Sequence, residues 1–133
     1  MSENNHDAFA NIHSVLDRHT DIELAYVFGS MAKGTATAAS DLDIAIQTTT
    51  PLGAQEKIQI IEEFAAATGC AIDLIDLRNA GEPLLGEILH DGIRLKGTNS
   101  AHAEVVSKHL FDSADFLPYV RRMLAERRQR WTN

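Results

Sequence analysis

Two aspartates, Asp41 and Asp43, flank Leu42 at the start of an apolar run, and this pair constrains the chain more than any other feature. Side chains two residues apart leave the same face of a β-strand, so the two carboxylates would lie side by side. Two unit charges about 4 Å apart repel by roughly 4 kcal/mol at an effective dielectric near 20. The pair alone also fits the exposed polar face of an edge strand, but with a third carboxylate nearby it needs a raised pKa or a bound divalent cation, and hard oxygen ligands suit magnesium.

A turn suited to anions precedes the two aspartates. Gly29 and Ser30 end a run of β-branched and aromatic residues and open a short helical turn that includes Lys33. Backbone N–H groups at such a start, a serine hydroxyl and a glycine that permits close approach form a cradle for phosphate. The same residues also fit an ordinary turn at Gly29, a helix cap at Ser30 and a solvated lysine at Lys33.

A third carboxylate is expected from a neighbouring strand, within the segment AIDLIDLR. Asp73 and Asp76 compete for this place. Three residues separate them, so they leave opposite faces of a regular strand and only one can join Asp41 and Asp43.

The spacing of apolar residues predicts an α/β (α+β) chain in which helices flank a small mixed sheet. Thr50 and Pro51 predict the cap and first residue of a central helix, and Gly69 predicts its end. Pro118 should kink or divide the last helix. The predicted helices are 7–19, 50–69, 82–89 and 101–131, and the predicted strands are 22–28, 42–47, 71–77 and 93–95.

Length and charge narrow the class of protein. The 133 residues fit a single domain, with a core over about 7–97 and a C-terminal helical segment over about 100–131. A net charge of −7 argues against stable binding to nucleic acid. No apolar run approaches the roughly 18 residues of a membrane span, and we expect a cytoplasmic protein.

Five arginines near the C-terminus form a solvated face or a docking surface for an acidic partner. The histidines show no metal-ligand spacing and are expected on solvated faces.

Gly29-Ser30, ten further residues and then Asp41-Leu42-Asp43 resemble the signature of the DNA polymerase β-like nucleotidyltransferase superfamily. The short chain is most similar to the minimal nucleotidyltransferases, or MNT proteins. The resemblance extends from about residue 12 to residue 96 and implies the polymerase β-like nucleotidyltransferase fold with a C-terminal helical extension.

The resemblance implies a role for each matching residue. Asp41 and Asp43 match the metal-binding pair, and Asp73 matches the third acidic position, which ligates one metal and accepts the proton of the attacking hydroxyl. The triphosphate of ATP would be held by Gly29, Ser30, Lys33 and Ser40. Two magnesium ions would hold the attacking oxygen and the leaving pyrophosphate in line.

MNT proteins are typically paired with helical HEPN proteins, and such a pair looks like a toxin–antitoxin module. The resemblance thus implies an antitoxin that transfers AMP from ATP to a tyrosine of an RNA-cleaving HEPN toxin. Two alternatives remain open on the residues alone. One is a nucleotidyltransferase that modifies a small molecule with the help of a helical partner subunit. The other is a non-catalytic antitoxin that acts by binding.

Overall fold

The computed structural model describes residues 2–36, 40–112 and 121–128, and its helices alternate with strands. The helices are α1 (Ser2–Arg18), α2 (Ser30–Lys33), α3 (Ala54–Thr68), α4 (Leu84–Asp91) and α5 (Asn99–Asp112). The strands are β1 (Ile22–Phe28), β2 (Leu42–Thr48), β3 (Ile72–Asp76) and β4 (Ile93–Lys96). Residues 121–128 are also helical. None of the described helices is long and apolar enough to cross a membrane.

The four strands form one mixed sheet in the order β3-β2-β1-β4. β1 runs antiparallel to both of its neighbours, β2 and β4. β2 and β3 are parallel, joined by α3 as the crossover helix. The mixed sheet flanked by helices that the sequence predicts is therefore confirmed.

Helices cover both faces of the sheet because the apolar residues of each strand alternate between two clusters. On one face, α1 and α3 contribute Ile12 and Phe64, which pack with Ile44 of β2. On the other face, α4 and α5 contribute Leu85 and Val105 to the second cluster. Asp43 has the parity of Ala45, which belongs to that second cluster, and so leaves the sheet on the face of α4 and α5.

The two ends of α3 test the predicted capping residues. The predicted start at Thr50 and Pro51 is wrong, because α3 begins at Ala54 with Gly53 as its cap. The Thr48 hydroxyl donates to the Thr50 carbonyl, which forms a turn there and delays the helix. The predicted end at Gly69 is confirmed: this glycine has φ +72° and its N–H bonds to the Ala65 carbonyl at 2.8 Å.

The predicted C-terminal helix corresponds to two helical segments among the described residues. α5 ends at Asp112, and every residue of the helical segment 121–128 is exposed. The break predicted at Pro118 lies outside the described residues. The arginines of segment 121–128 are exposed, which fits both a solvated face and a docking surface, and Arg130 lies outside the described residues.

The prediction that the histidines lie on solvated faces is wrong for three of them. His19, His102 and His109 are half-buried, and each has a polar partner on another part of the fold. These partners are Glu63, Tyr26 and Glu82, respectively. The partners are between 27 and 76 residues away along the chain, so local sequence spacing cannot reveal them.

Two isoleucines on α3 test this packing with matched chemistry. Ile60 is 3% exposed against the sheet, whereas Ile58 is 56% exposed two positions earlier. We expect Ile60→Ala to lower the free energy of unfolding by about 2–5 kcal/mol, because it leaves a cavity in the core. Ile58→Ala should change it by no more than about 0.5 kcal/mol. Urea unfolding of both variants measures the difference, and similar losses would contradict the packing of α3.

Candidate active site

The parallel register of β2 and β3 brings two carboxylates together. Asp43 is the direct partner of Asp73, so both side chains leave the same face of the sheet. The two carboxyl groups are close enough for a hydrogen bond between them. Asp43 is half-buried and Asp73 is exposed, so the pair lies at the surface and is open to a ligand.

Asp41 completes the acidic edge of the sheet from the residue before β2. It is exposed and shares the strand parity of Asp43. Burial raises the pKa of Asp43 above its ordinary value, and the neighbouring Asp73, Asp41 and Glu87 raise it further by charge repulsion. The electrostatic strain inferred from the sequence is thus located mainly on Asp43.

Gly29 forms the wall against which the Asp43 carboxylate lies. Its backbone has φ +71° and ψ −149°, close to a region that essentially only glycine occupies. A Cβ atom at this position would overlap Oδ2 of Asp43. The glycine of the Gly-Ser turn therefore has two functions here, since it allows the turn and leaves room for the carboxylate.

Ser30 and Lys33 are the first and last residues of α2, directly after this turn. Gly29 occupies the cap position of α2, which has no side-chain cap hydrogen bond, so Ser30 is not the helix cap. The Lys33 ammonium lies 3.5 Å from the Asp91 carboxylate, so the lysine is not simply solvated. Ser40 is half-buried immediately before Asp41.

Asp76 lies apart from the acidic edge. Its register partner is Ile46, which belongs to the core cluster on the opposite face of the sheet from Asp43. Its carboxylate accepts hydrogen bonds from the Arg78 N–H at 3.0 Å and from the Asn79 amide at 3.4 Å. This geometry makes Asp76 part of the turn after β3 and leaves Asp73 as the neighbour of Asp43.

Two acidic residues near the site were missed by the sequence analysis. Glu87 of α4 acts on Asp43 through its charge, and Asp91 of the same helix pairs with Lys33. A spacing of four residues places both on one side of α4. This spacing is visible in the sequence, but only the packing of α4 against β1 shows that this side faces the Gly-Ser turn.

The oxygen atoms at this edge suit a magnesium ion that is shared with a nucleotide. Among residues 2–36, 40–112 and 121–128, no three potential ligands are grouped closely enough to hold a metal by themselves. Magnesium is commonly bound by one or two carboxylates together with substrate phosphates, so a cage of protein ligands is not required. Asp43 and Asp73, with their mutual repulsion, are the carboxylates that fit such an ion.

Comparison with known proteins identifies the fold and the family. A family model described as polymerase beta, nucleotidyltransferase, matches residues 10–101. The protein adenylyltransferase MntA of Shewanella oneidensis is 33% identical over 82 residues, which are 62% of this chain and 59% of the relative. The alignment therefore spans less than two thirds of that relative.

Solved structures extend the similarity over most of the chain. A toxin–antitoxin structure with AMP-PNP contains a chain that is 26% identical, has a TM-score of 0.69 and aligns over 91% of this chain and 93% of its own length. An MNT antitoxin from Shewanella oneidensis, in complex with a tri-AMPylated HEPN toxin, shares the fold at 23% identity and a TM-score of 0.65, over 94% and 93% of the two chains. The resemblance to minimal nucleotidyltransferases is confirmed.

Gly29→Ala tests the close contact between Gly29 and the Asp43 carboxylate, and Gly34→Ala is the matched control. Gly34 has φ +73°, similar to Gly29, but an added Cβ would meet nothing within 4 Å. We expect Gly34→Ala to cost about 1 kcal/mol of stability and to keep nucleotide binding. Gly29→Ala should cost about 1–3 kcal/mol and also abolish binding of AMP-PNP, because it displaces the Asp43 carboxylate. Urea unfolding and calorimetric titration measure both effects, and equal behaviour of the two variants would contradict the proposed wall.

The raised pKa of Asp43 predicts that Asp43→Asn increases the free energy of unfolding in metal-free buffer, by an amount that depends on pH. The folded state holds this proton more tightly than the unfolded state, so the free energy of unfolding falls as pH rises between the unfolded and the folded pKa. Above both values we expect Asp43→Asn to be more stable than the wild type by up to about 1 kcal/mol, a size limited by solvent screening.

The stability gain of Asp43→Asn should shrink as pH falls and disappear below about pH 3, where the carboxyl group is protonated in both states. Thermal melts of the variant and the wild type at each pH measure the difference. Asp17→Asn, an exposed change on α1, controls for net charge. A variant less stable than the wild type at neutral pH would contradict the repulsion assigned to Asp43.

Proposed function

This chain belongs to the polymerase β nucleotidyltransferase family, and we propose that it is an antitoxin that transfers AMP from ATP to a tyrosine hydroxyl of a HEPN-type RNase toxin. The observation that carries the proposal is the adjacent pair of Asp43 and Asp73, held beside the Gly29-Ser30 turn. Carboxylates beside an anion-binding turn suit the transfer of a nucleotide from a triphosphate. We further propose that the transfer takes place in the cytoplasm.

In this reaction the tyrosine oxygen attacks the α-phosphorus of ATP. A bond forms between that oxygen and the phosphorus, and the bond from the phosphorus to the oxygen bridging toward the β-phosphorus breaks. The electron pair leaves with pyrophosphate, and the carboxylate of Asp73 accepts the phenolic proton. The exposure of Asp73 supports this role, because a side chain of another protein can approach it.

The other residues of the site bind and orient the nucleotide. The backbone of Gly29, the hydroxyl groups of Ser30 and Ser40 and the ammonium of Lys33 bind the triphosphate. Asp41, Asp43 and Asp73 would hold two magnesium ions, which neutralise charge on the phosphates and the leaving pyrophosphate. The strain on Asp43 supports this assignment, since a cation beside the carboxylates relieves their repulsion.

Similarity to known proteins supports the choice of acceptor. The Shewanella oneidensis relative is a protein adenylyltransferase, which makes a protein rather than a small molecule the preferred acceptor. The similar chain crystallised with AMP-PNP comes from a toxin–antitoxin complex, which supports a toxin as the partner and ATP as the donor. The tyrosine as the modified residue is part of our proposal.

Incubation with magnesium, each of the four nucleoside triphosphates and a cognate HEPN-type protein tests the reaction. We expect the mass of the HEPN-type protein to rise by one or more AMP units with ATP, and fragment spectra to place them on tyrosine. Asp73→Asn should slow the transfer by about 100-fold or more, because it removes the proton acceptor. Asp76→Asn is the matched control on the opposite face of β3 and should leave the rate unchanged.

Three outcomes would contradict the proposal. Equal rates for Asp73→Asn and Asp76→Asn would remove Asp73 from the reaction. An Asp41→Asn, Asp43→Asn double variant that still neutralises the toxin in cells would show that the chain acts by binding alone. A transfer of AMP to a small molecule with no change in the mass of the HEPN-type protein would identify a different acceptor.

A further inference from the structure

The end of α4 lies next to the Gly-Ser turn because β4 pairs with β1. Ile93, the first residue of β4, is opposite Val27, two residues before Gly29. A Cβ atom on Gly92 would lie 3.4 Å from the Val27 carbonyl oxygen and would overlap the Ile88 carbonyl, so helix and strand meet closely here. The last turn of α4 is thereby held beside the start of α2.

An ion pair joins α4 to α2 at this point. Oδ2 of Asp91 lies 3.5 Å from the Nζ of Lys33, and Oδ1 accepts a hydrogen bond of 2.8 Å from Nδ1 of His90. The hydrogen bond from His90, together with the charge of Lys33, lowers the pKa of Asp91 below its ordinary value, so the carboxylate is ionised. Half of the Lys33 side chain is exposed, so its ammonium also remains within reach of a ligand in solvent.

One turn earlier on α4, Glu87 adds negative charge on the side of the carboxylate pair, where it raises the pKa of Asp43. The negative charges on this side of α4 therefore disfavour the binding of anions, Glu87 near the carboxylate pair and Asp91 near Lys33. A triphosphate at the Gly-Ser turn meets Lys33 only while that lysine is already paired with a carboxylate. If a triphosphate contacts this ammonium, it does so in competition with the Asp91 carboxylate.

We propose that Asp91 is a positioning residue that restrains Lys33, so that a nucleoside triphosphate binds by drawing the ammonium away from the carboxylate. The inference rests on the proposed function, because it takes the triphosphate to be the ligand of the Gly-Ser turn. Asp91 itself does not touch the reacting atoms. It lowers affinity for the nucleotide by holding the lysine and keeps the ammonium beside α2 when no nucleotide is bound.

This competition predicts that loss of the Lys33–Asp91 ion pair strengthens nucleotide binding, whereas loss of a charged contact usually weakens it. Replacing Asp91 by asparagine frees the Lys33 ammonium from its ion pair, so the affinity for AMP-PNP should rise. A partly exposed ion pair has a modest strength, which corresponds to a change of about two- to fivefold in Kd. Lys33→Met should weaken binding, because the ammonium that contacts the triphosphate is lost.

A double-mutant cycle on the full chain tests whether Asp91 acts through Lys33. Binding of AMP-PNP with magnesium is measured by calorimetry for the wild type, Asp91→Asn, Lys33→Met and the double variant. We expect the gain from Asp91→Asn to disappear in the Lys33→Met background. Asp91→Glu keeps the charge and should retain an affinity close to that of the wild type.

Glu62→Gln provides the matched control for net charge, since Glu62 is exposed on α3, which packs on the opposite face of the sheet. This variant should leave the Kd unchanged. Weaker binding by Asp91→Asn, or a gain that persists without Lys33, would overturn the inference. If the wild type binds AMP-PNP and Asp91→Asn binds it with the same Kd, the inference about Asp91 is overturned but the proposed function is not. No binding by the wild type would overturn it together with the proposed function.

Discussion

The site depends on the parallel pairing of β2 with β3, which places Asp43 directly beside Asp73. Parallel partners at the same register position present their side chains to the same face, so this pairing forces two carboxylates together. Burial raises the pKa of Asp43, and the charge of the adjacent Asp73 raises it further. Stability alone does not favour two carboxylates at adjacent register positions. The strain therefore points to a ligand that carries positive charge.

The elements around this pair bring the Gly-Ser turn, the acidic pair and α4 to one edge of the sheet. β1 lies beside β2, so the Gly29 turn at the end of β1 meets the Asp43 carboxylate without a side chain in between. Helix α2 then begins at the turn, and α4 closes the other side through the pairing of β4 with β1. The antiparallel pairing of β1 with β4 thus positions the Gly-Ser turn and the acidic helix α4 at the same edge.

Charge at this edge is balanced between attraction and repulsion. The Lys33 ammonium is paired with Asp91 of α4, and Glu87 of the same helix raises the pKa of Asp43 by its charge, after the larger effect of burial. A transferase benefits from such a balance, because very tight binding of the substrate in its ground state does not accelerate the chemical step. Under the proposed function, the carboxylates of α4 therefore influence nucleotide binding even though they are not part of the acidic pair.

The sequence by itself determined the order of helices and strands, the shared face of Asp41 and Asp43 and the glycine at the end of α3, because each depends on local spacing or on backbone freedom. The choice between Asp73 and Asp76 was made only by the tertiary structure, through strand register and the turn after β3. The pairing of Lys33 with Asp91 and the burial of three histidines were likewise set by contacts between distant segments. Such contacts depend on how packed elements meet in space, and the spacing of residues along one chain does not encode that directly.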